Sequence, residues 1–364
     1  MNSAMRFIRP GDRGSDSLVR TTVVVTGVVL ALLVPLGLLG YAAPALFLVF
    51  AGILFAVLLR MLASRIAAVL PVRDRASLVI AWVLLAALVA FTSWWTAPQL
   101  SDQFDQLAGR LPSGLHDLEH KLQQHPLGKW LISKSAAASP NGQQTVETGA
   151  RLTASVFGVL GSSTIVLFLG MYFAADPHRY LNGLVRLLPI ERRPLVHDTL
   201  LEAGHNLERW LLGRLLAMTF VGVTVGVGLA LMGIPLALLL GLLAGLLGFI
   251  PYIGPIVSAV PAVLLGLEQQ GLQSALWIAC LYLTIQTVQD YLLTPLIQEH
   301  AVSLPPVVTI TSQVFAGIWV GPIGITLATP LAVVLMVLVR RLYIEAYLGD
   351  REPDAFTPGN RHGD

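Results

Sequence analysis

One uncharged stretch near the middle of the chain constrains the fold more than any other. Leu236–Leu267 reads LALLLGLLAGLLGFIPYIGPIVSAVPAVLLGL. It is apolar enough for a bilayer, yet Pro251, Gly254, Pro255 and Pro261 forbid one straight helix through it. The arm Leu236–Ile250 reaches only ~22 Å at 1.5 Å per residue, against about 30 Å of hydrocarbon, and Ile256–Leu267 is shorter still. Two short arms around a Pro-Tyr-Ile-Gly-Pro tip predict a helical hairpin that enters the membrane and turns back inside it. Unpaired backbone at such a tip survives only where protein or a watery cavity covers it, and broken helices of this kind build the binding sites of transporters. The alternative is two ordinary spans joined by a Pro/Gly turn.

Composition places the stretch in a polytopic membrane protein: 55% of the 364 residues are apolar and only 12% charged, with a mean hydropathy of +0.73. The net charge of +2 is small and the arginines cluster by loop, so they report topology and not nucleic-acid binding. Cys280 is the single cysteine, which excludes an intrachain disulfide and a thiolate-rich metal site.

Residues 1–20 are polar and carry Arg6, Arg9, Arg13 and Arg20, marking a cytoplasmic end. Thr21–Leu39 is read as a span, being long for a signal peptide and closely followed by another. Ala42–Leu59 returns to Arg60, Arg65, Arg73 and Arg75, and Ser77–Ala97 goes out again between Trp82 and the Trp94–Trp95 pair; residues 21–97 thus hold three spans. Residues 98–152 form an extracytoplasmic block, with an amphipathic stripe from Phe104 through Leu107, Leu111, Leu115 and Leu118 to Leu122. This stripe is expected to pack on the membrane domain or on a neighbouring subunit. A transport core follows over residues 153–340: a span at Thr153–Ala175, a basic cytoplasmic loop from Asp176 to Arg214, a span at Leu215–Met232 carrying the GxxxG match Gly222–Gly226, the central hairpin 236–267, and a span at Leu272–Pro295.

The last apolar segment, 307–339, is broken by Ile318-Trp-Val-Gly-Pro-Ile323 and shares a Gly-Pro-Ile tip with the first hairpin. Neither tip carries a charge, whereas the loops assigned to the cytoplasm are full of arginine. A first hairpin dipping from outside and a second from inside deliver Arg340 and Arg341 to the cytoplasm, where the tail 341–364 remains. The expected architecture is all-α, with six full transmembrane helices and two oppositely oriented re-entrant hairpins.

Ionisable residues are nearly absent from the apolar segments, which singles out Asp290. Gln286, Asp290 and Thr294 share a helix face at spacing four, with Gln289 beside it. An intramembrane carboxylate suits a cation ligand or proton carrier; the alternative is that Asp290 snorkels to water or pairs with an arginine. Gln313, with Thr309, Thr311 and Ser312, is placed to line the same cavity from the second hairpin, or the hydroxyls only bond their own helix. The tips supply Tyr252, Gly254 and Pro255 from one hairpin and Gly321 and Pro322 from the other. His116, His120 and His125 lack the HExxH pattern and read as a solvated helix face, so no metal is expected. No GxxxxGK[ST] or GxSxG motif occurs, and no carboxylate pair lies in the membrane, which argues against an ATPase or an intramembrane enzyme.

At Phe249-Ile-Pro-Tyr-Ile-Gly-Pro255, and again from Asp290-Tyr-Leu-Leu-Thr-Pro295 through Leu304-Pro-Pro306 to Gly321 and Ala328-Thr-Pro330, the chain resembles the autoinducer-2 exporter family. The match covers roughly Leu207 to Arg340. It implies a bacterial inner-membrane secondary transporter, eight spans by the conventional count, in a homo-oligomeric assembly; the arginine distribution places both termini in the cytoplasm. It further implies a small-molecule cargo, in some members the quorum-sensing furanone autoinducer-2, or exchange of Na⁺ and H⁺. The chain departs from the family pattern at Asp290, where a glutamate and asparagine are frequent, and at Gly213-Arg214, where Gly-Gln is common. The expected function is ion-coupled export of a small molecule, with no cofactor beyond the coupling H⁺ or Na⁺. Its rivals are a cation/proton antiporter without organic substrate, a passive pore, and a non-transporting scaffold that binds partners through residues 98–152.

Overall fold

The computed structural model describes residues 13–70, 72–92, 94, 103, 106, 161–293 and 304–350, without the side chains of 13–39, 269, 292 and 293. Ten helices and no strand are found among these residues. They are α1 (Arg13–Val69), α2 (Asp74–Thr92), α3 (Gly161–Ala175), α4 (Pro177–Arg186), α5 (Arg193–Leu231), α6 (Ala237–Leu247), α7 (Ile253–Gln270), α8 (Leu272–Val288), α9 (Pro306–Val320) and α10 (Pro322–Leu338). π-Helical turns extend α8 over Gln289–Leu293 and α10 over Val339–Glu345. Among the described residues, four segments are long and apolar enough to cross a membrane: Gly40–Val69, Asp74–Thr92, Ile190–Leu231 and Pro322–Glu345. With large apolar side chains such as Val83, Leu88, Phe91, Leu276, Trp277 and Leu283 turned outward, this is a multi-pass membrane protein.

The organising element is α5, whose 39 residues extend ~58 Å. Its C-terminal half packs against the first hairpin, α6–α7, and against α8. Val221, Val225 and Leu229 meet Leu240, Ala244, Ala262, Leu265, Ile278 and Tyr282 in one buried cluster. Its N-terminal half packs against the second hairpin and α1, through Leu207, Leu211, Leu54 and Leu327. Two GxxxG pairs make the α5–α6 seam. A Cβ on Gly241 would come within 2.6 Å of Gly226 Cα, and one on Gly245 within 3.1 Å of Gly222 Cα, so only glycine lets these backbones approach so closely. The close contact foreseen for Gly222–Gly226 is therefore made, with Gly241–Gly245 as its partner.

Both helix pairs turn on close-packed glycines, but their registers differ. In the first, Tyr252 precedes α7 with φ +64° and Gly254 lies inside its first turn, where a Cβ would strike the Leu247 carbonyl. In the second, Gly321 takes the positive-φ position (φ +72°), Pro322 opens α10, and Gly324 faces the Ala316 carbonyl. The shared Gly-Pro-Ile letters thus occupy different structural positions in the two turns.

Several boundaries differ from expectation. The second arm of the first hairpin is the longer one, 18 residues against 11 in α6. Pro255 falls in the first turn, where its missing N–H costs nothing, and Pro261 is absorbed inside the helix. The stretch Asp176–Arg214 is helical over most of its length. Asp176 caps α4 by accepting from the Arg179 N–H at 3.2 Å, and α5 begins at Arg193. α1 continues through Gly40–Ala42, where two spans were separated. Within residues 98–152, for which an extracytoplasmic block was expected, Gln103 has a described bond: its side-chain oxygen accepts from the Leu239 N–H at 3.1 Å, in the first turn of α6. The amphipathic stripe itself, the three histidines and the C-terminal tail beyond 350 lie outside the described residues.

Candidate functional site

The polar centre of the molecule forms where the first hairpin's tip meets the middle of α5. Arg214 stands there among Leu211, Leu215 and Ala217, near the midpoint of the helix. Its Nε donates to the Phe249 carbonyl at 3.1 Å. The Phe249 ring packs edge-on against Trp210, at 5.7 Å between centroids, so the tip is held by both a polar and an aromatic contact. Arg214 is half-buried and lies within electrostatic range of Asp290 and of the Tyr252 phenol.

Asp290 reaches this place because α8 runs back along α7. Tyr282 donates its hydroxyl to the Ser258 carbonyl at 3.2 Å, and two further turns bring α8 level with the tip. There the helix widens into the π segment Gln289–Leu293, a distortion common at functional sites. Gln286 donates its side-chain Nε2 to both Asp290 oxygens, at 3.0 and 3.1 Å. The shared face of Gln286 and Asp290 is thereby real, and it orients the exposed carboxylate. Gln289 is turned into the protein instead. Thr294 lies outside the described residues.

The second hairpin enters through Gln313, whose exposure is 1%. Its Nε2 donates to the Pro251 carbonyl at 3.1 Å and contacts Thr329 Oγ1 at 3.3 Å, while its own Oε1 is buried without a hydrogen-bond partner. One amide therefore ties the tip of the first hairpin to both arms of the second. Thr309 and Ser312 bond carbonyls of their own helix, at Pro305 and Thr309. Gly321 and Pro322 stand apart from this junction, ~12 Å along α9 from Gln313. The first tip consequently meets the second hairpin partway along its arms and not at its turn. Gly254 and Pro255 shape the turn: Gly254 through its contact with Leu247, and Pro255 by accepting from Ser258 Oγ at 3.1 Å.

The directions of packing follow from the same contacts. α6 runs antiparallel to the upper half of α5, from Gly226–Gly241 to Met218–Gly245. α10 runs antiparallel to the lower half, from Leu211–Leu327 to the Glu202–Arg341 pair. The hairpins thus approach Arg214 from opposite ends of α5. Arg214 is the residue that charge-based reading overlooked, having counted it as the last arginine of a cytoplasmic loop. The one hint in the sequence was an arginine alone within Trp210–Leu231, set among Leu211, Leu212, Leu215 and Leu216.

Residues 21–344 match the family model described as AI-2E family transporter. Two proteins named Putative transport protein are similar to the chain. YueF of Bacillus subtilis is 26% identical over 71% of this chain and 74% of its own length. YhhT of Escherichia coli is 27% identical over 79% of this chain and 83% of its own length. The AI-2 transport protein TqsA of Escherichia coli is 24% identical over 74% and 79% respectively.

Proposed function

The chain belongs to the AI-2E transporter family, and from that premise we propose that it is an inner-membrane secondary transporter whose substrate passes the junction of Arg214, Tyr252, Asp290 and Gln313. The observation that carries this reading is the meeting of two broken helix pairs, from opposite ends of α5, at the half-buried Arg214 and the buried Gln313, which bond the carbonyls of the first hairpin's tip. Helices that stop inside a membrane leave backbone groups to be met by side chains, and here Arg214 and Gln313 meet the carbonyls of Phe249 and Pro251. Both hairpins are re-entrant in this reading, the first from outside and the second from the cytoplasm.

Transport moves the first hairpin away from Arg214 and Gln313, which breaks two hydrogen bonds and opens the junction to one side. Asp290 couples that movement to an ion: a proton or Na⁺ on the carboxylate weakens its attraction to Arg214 and loosens the closed state. The cargo is a small organic molecule, a reading supported by the name of the relative TqsA.

Flux into proteoliposomes under imposed pH and Na⁺ gradients tests the proposal. Asp290→Asn is expected to abolish gradient-driven flux while the protein remains folded and correctly inserted. Wild-type flux in this variant would remove Asp290 from the mechanism.

A further inference from the structure

Away from the hairpin junction, the C-terminal ends of α5 and α7 and one face of α8 enclose a cavity of about 510 Å³. The face of α8 makes its long wall. Gln273, Trp277, Cys280 and Thr284 follow one another there at spacings of four, three and four, and cover ~16 Å of the helix. Leu281 closes the back against α5, so near Gly228 that a Cβ on that glycine would lie 2.7 Å from Leu281 Cδ2. Met232 and Gln270 close the end where α5 and α7 stop, with the Gln270 amide nitrogen 4.0 Å from the place a Cβ of Gly233 would take.

The lining is graded from polar to apolar along α8. At the end made by the helix termini stand the amides of Gln270 and Gln273, beside Ser274, whose buried hydroxyl has no hydrogen-bond partner among the described residues. Trp277, 61% exposed, comes one turn deeper. The far end is apolar: Thr284 commits its hydroxyl to the Cys280 carbonyl at 2.8 Å and leaves its methyl to the cavity beside Cys280 and Leu281. None of the described lining residues carries a charge. Leu276 and Leu283, next to this face on the same helix, are turned outward, so the cavity lies against lipid.

We infer that the cavity is a binding site for one phosphatidylethanolamine molecule, with one acyl chain lying along Trp277, Cys280 and Thr284 and the headgroup on Gln270, Gln273 and Ser274. The order of the lining matches the order of a lipid's parts, and its length set against its volume leaves width for a single chain. A small polar solute would leave the apolar half with nothing packed on it. Hydrocarbon selects little here, because the surrounding lipid tails are as apolar as the wall. Selection therefore falls to the polar end. Anionic headgroups are recognised by lysine and arginine, which the described lining lacks. Two primary amides instead offer N–H groups to a phosphate and carbonyl oxygens to an ammonium. Ethanolamine supplies both partners, whereas choline has no N–H to donate and a glycerol headgroup leaves a net negative charge. The inference goes beyond the transport reading and needs only that these helices lie in a membrane.

Native mass spectrometry tests it on the full chain. The protein is reconstituted in nanodiscs of equal parts phosphatidylethanolamine, phosphatidylcholine and phosphatidylglycerol with identical acyl chains, then transferred to detergent, and the retained lipids are counted. One phosphatidylethanolamine per chain is expected, in about 10-fold preference over either competitor. Gln270→Leu combined with Gln273→Leu, both at exposed positions, is expected to lower that retention about 10-fold and to erase the preference over phosphatidylcholine, the loss of two net hydrogen bonds. Cys280→Trp fills the middle of the cavity from an exposed position and is expected to abolish the retained lipid, whereas Cys280→Ser keeps it. Should Cys280→Trp fail to fold, the double leucine variant decides the matter. Preference for phosphatidylglycerol, equal retention of all three lipids, no retained lipid in the wild type, or retention unchanged in the double leucine variant would overturn the inference.

Discussion

The seam between α5 and α6 makes a quantitative prediction, because four glycines of the same kind sit in measurably different spaces. Consider alanine at Gly241. Its Cβ would lie 2.6 Å from Gly226 Cα and 2.8 Å from the Gly222 carbonyl oxygen, both backbone atoms that cannot rotate away. Ordinary carbon contacts begin near ~3.5 Å, so the helices must part by about 1 Å along the seam. Overpacking of this sort costs about 1–3 kcal/mol, only partly offset by the helix preference of alanine over glycine, at most about 1 kcal/mol. Alanine at Gly226 is the control within the same motif. Its Cβ would lie 3.6 Å from both the Ala237 carbonyl and Gly241 Cα, which is ordinary contact. That substitution should be neutral or mildly stabilising. Reversible unfolding in mixed detergent micelles should therefore separate the two variants by about 1–3 kcal/mol, with Gly245→Ala between them, its nearest atom being 3.0 Å away. Because Phe249 lies two turns beyond Gly241, the parted seam should also draw the tip off Arg214 and lower flux. Equal losses at Gly226 and Gly241 would refute the close-packed seam as the reason for these glycines.

Two further substitutions separate stability from function. Gln313→Leu forfeits the bonds to Pro251 and Thr329 but also removes a buried acceptor that has no partner, so unfolding should shift by no more than about 1 kcal/mol while flux falls sharply; a fully active Gln313→Leu would show that the amide does not bridge the hairpins to any purpose. Gly321→Ala meets no atom within 4 Å, yet its φ of +72° with ψ of −147° is nearly forbidden to other residues, so a loss of about 1–3 kcal/mol in the same unfolding measurement should arise from backbone strain alone.

How far the sequence carried these conclusions depends on the kind of signal. The hairpins were legible because Pro251, Gly254, Pro255 and Gly321 punctuate apolar runs, and punctuation is a local property of the chain. Arm lengths were misjudged because the same prolines were given equal weight. Pro255 lands where a helix needs no N–H, and so it starts α7 earlier than a rule that treats every proline as a stop would place it. The Asp290 face was legible from spacing alone, and the Gln286–Asp290 bond realises it. Arg214 was hidden because its meaning is nonlocal. The carbonyl that holds it is 35 residues away in sequence, and assigning arginines to loops by charge works only where α-helices end with the apolar run. Here α5 continues through the loop, carrying Arg214 to its middle.

The offset between the two turns bears on what kind of machine this is. If the hairpins were copies related by an internal symmetry, Gly254 and Gly321 would play one role, as their shared Gly-Pro-Ile letters suggest. Instead the positive-φ position is Tyr252 in one turn and Gly321 in the other, and the close-contact glycine falls at Gly254 and Gly324. The first turn therefore carries a bulky, strained tyrosine at the position where the second is content with glycine. Strain of this kind persists only where surrounding contacts enforce it. At the first tip those contacts are the Arg214 bond to Phe249 and the Gln313 bond to Pro251, one from each side of the chain break. Releasing either bond removes part of what holds Tyr252 in its conformation. Arg214 and Gln313 thus act on the tip through the backbone, and in the transport reading proposed above the moving part is the first hairpin, with the second, its glycine turn and its Glu202–Arg341 anchor, as the wall against which the tip closes.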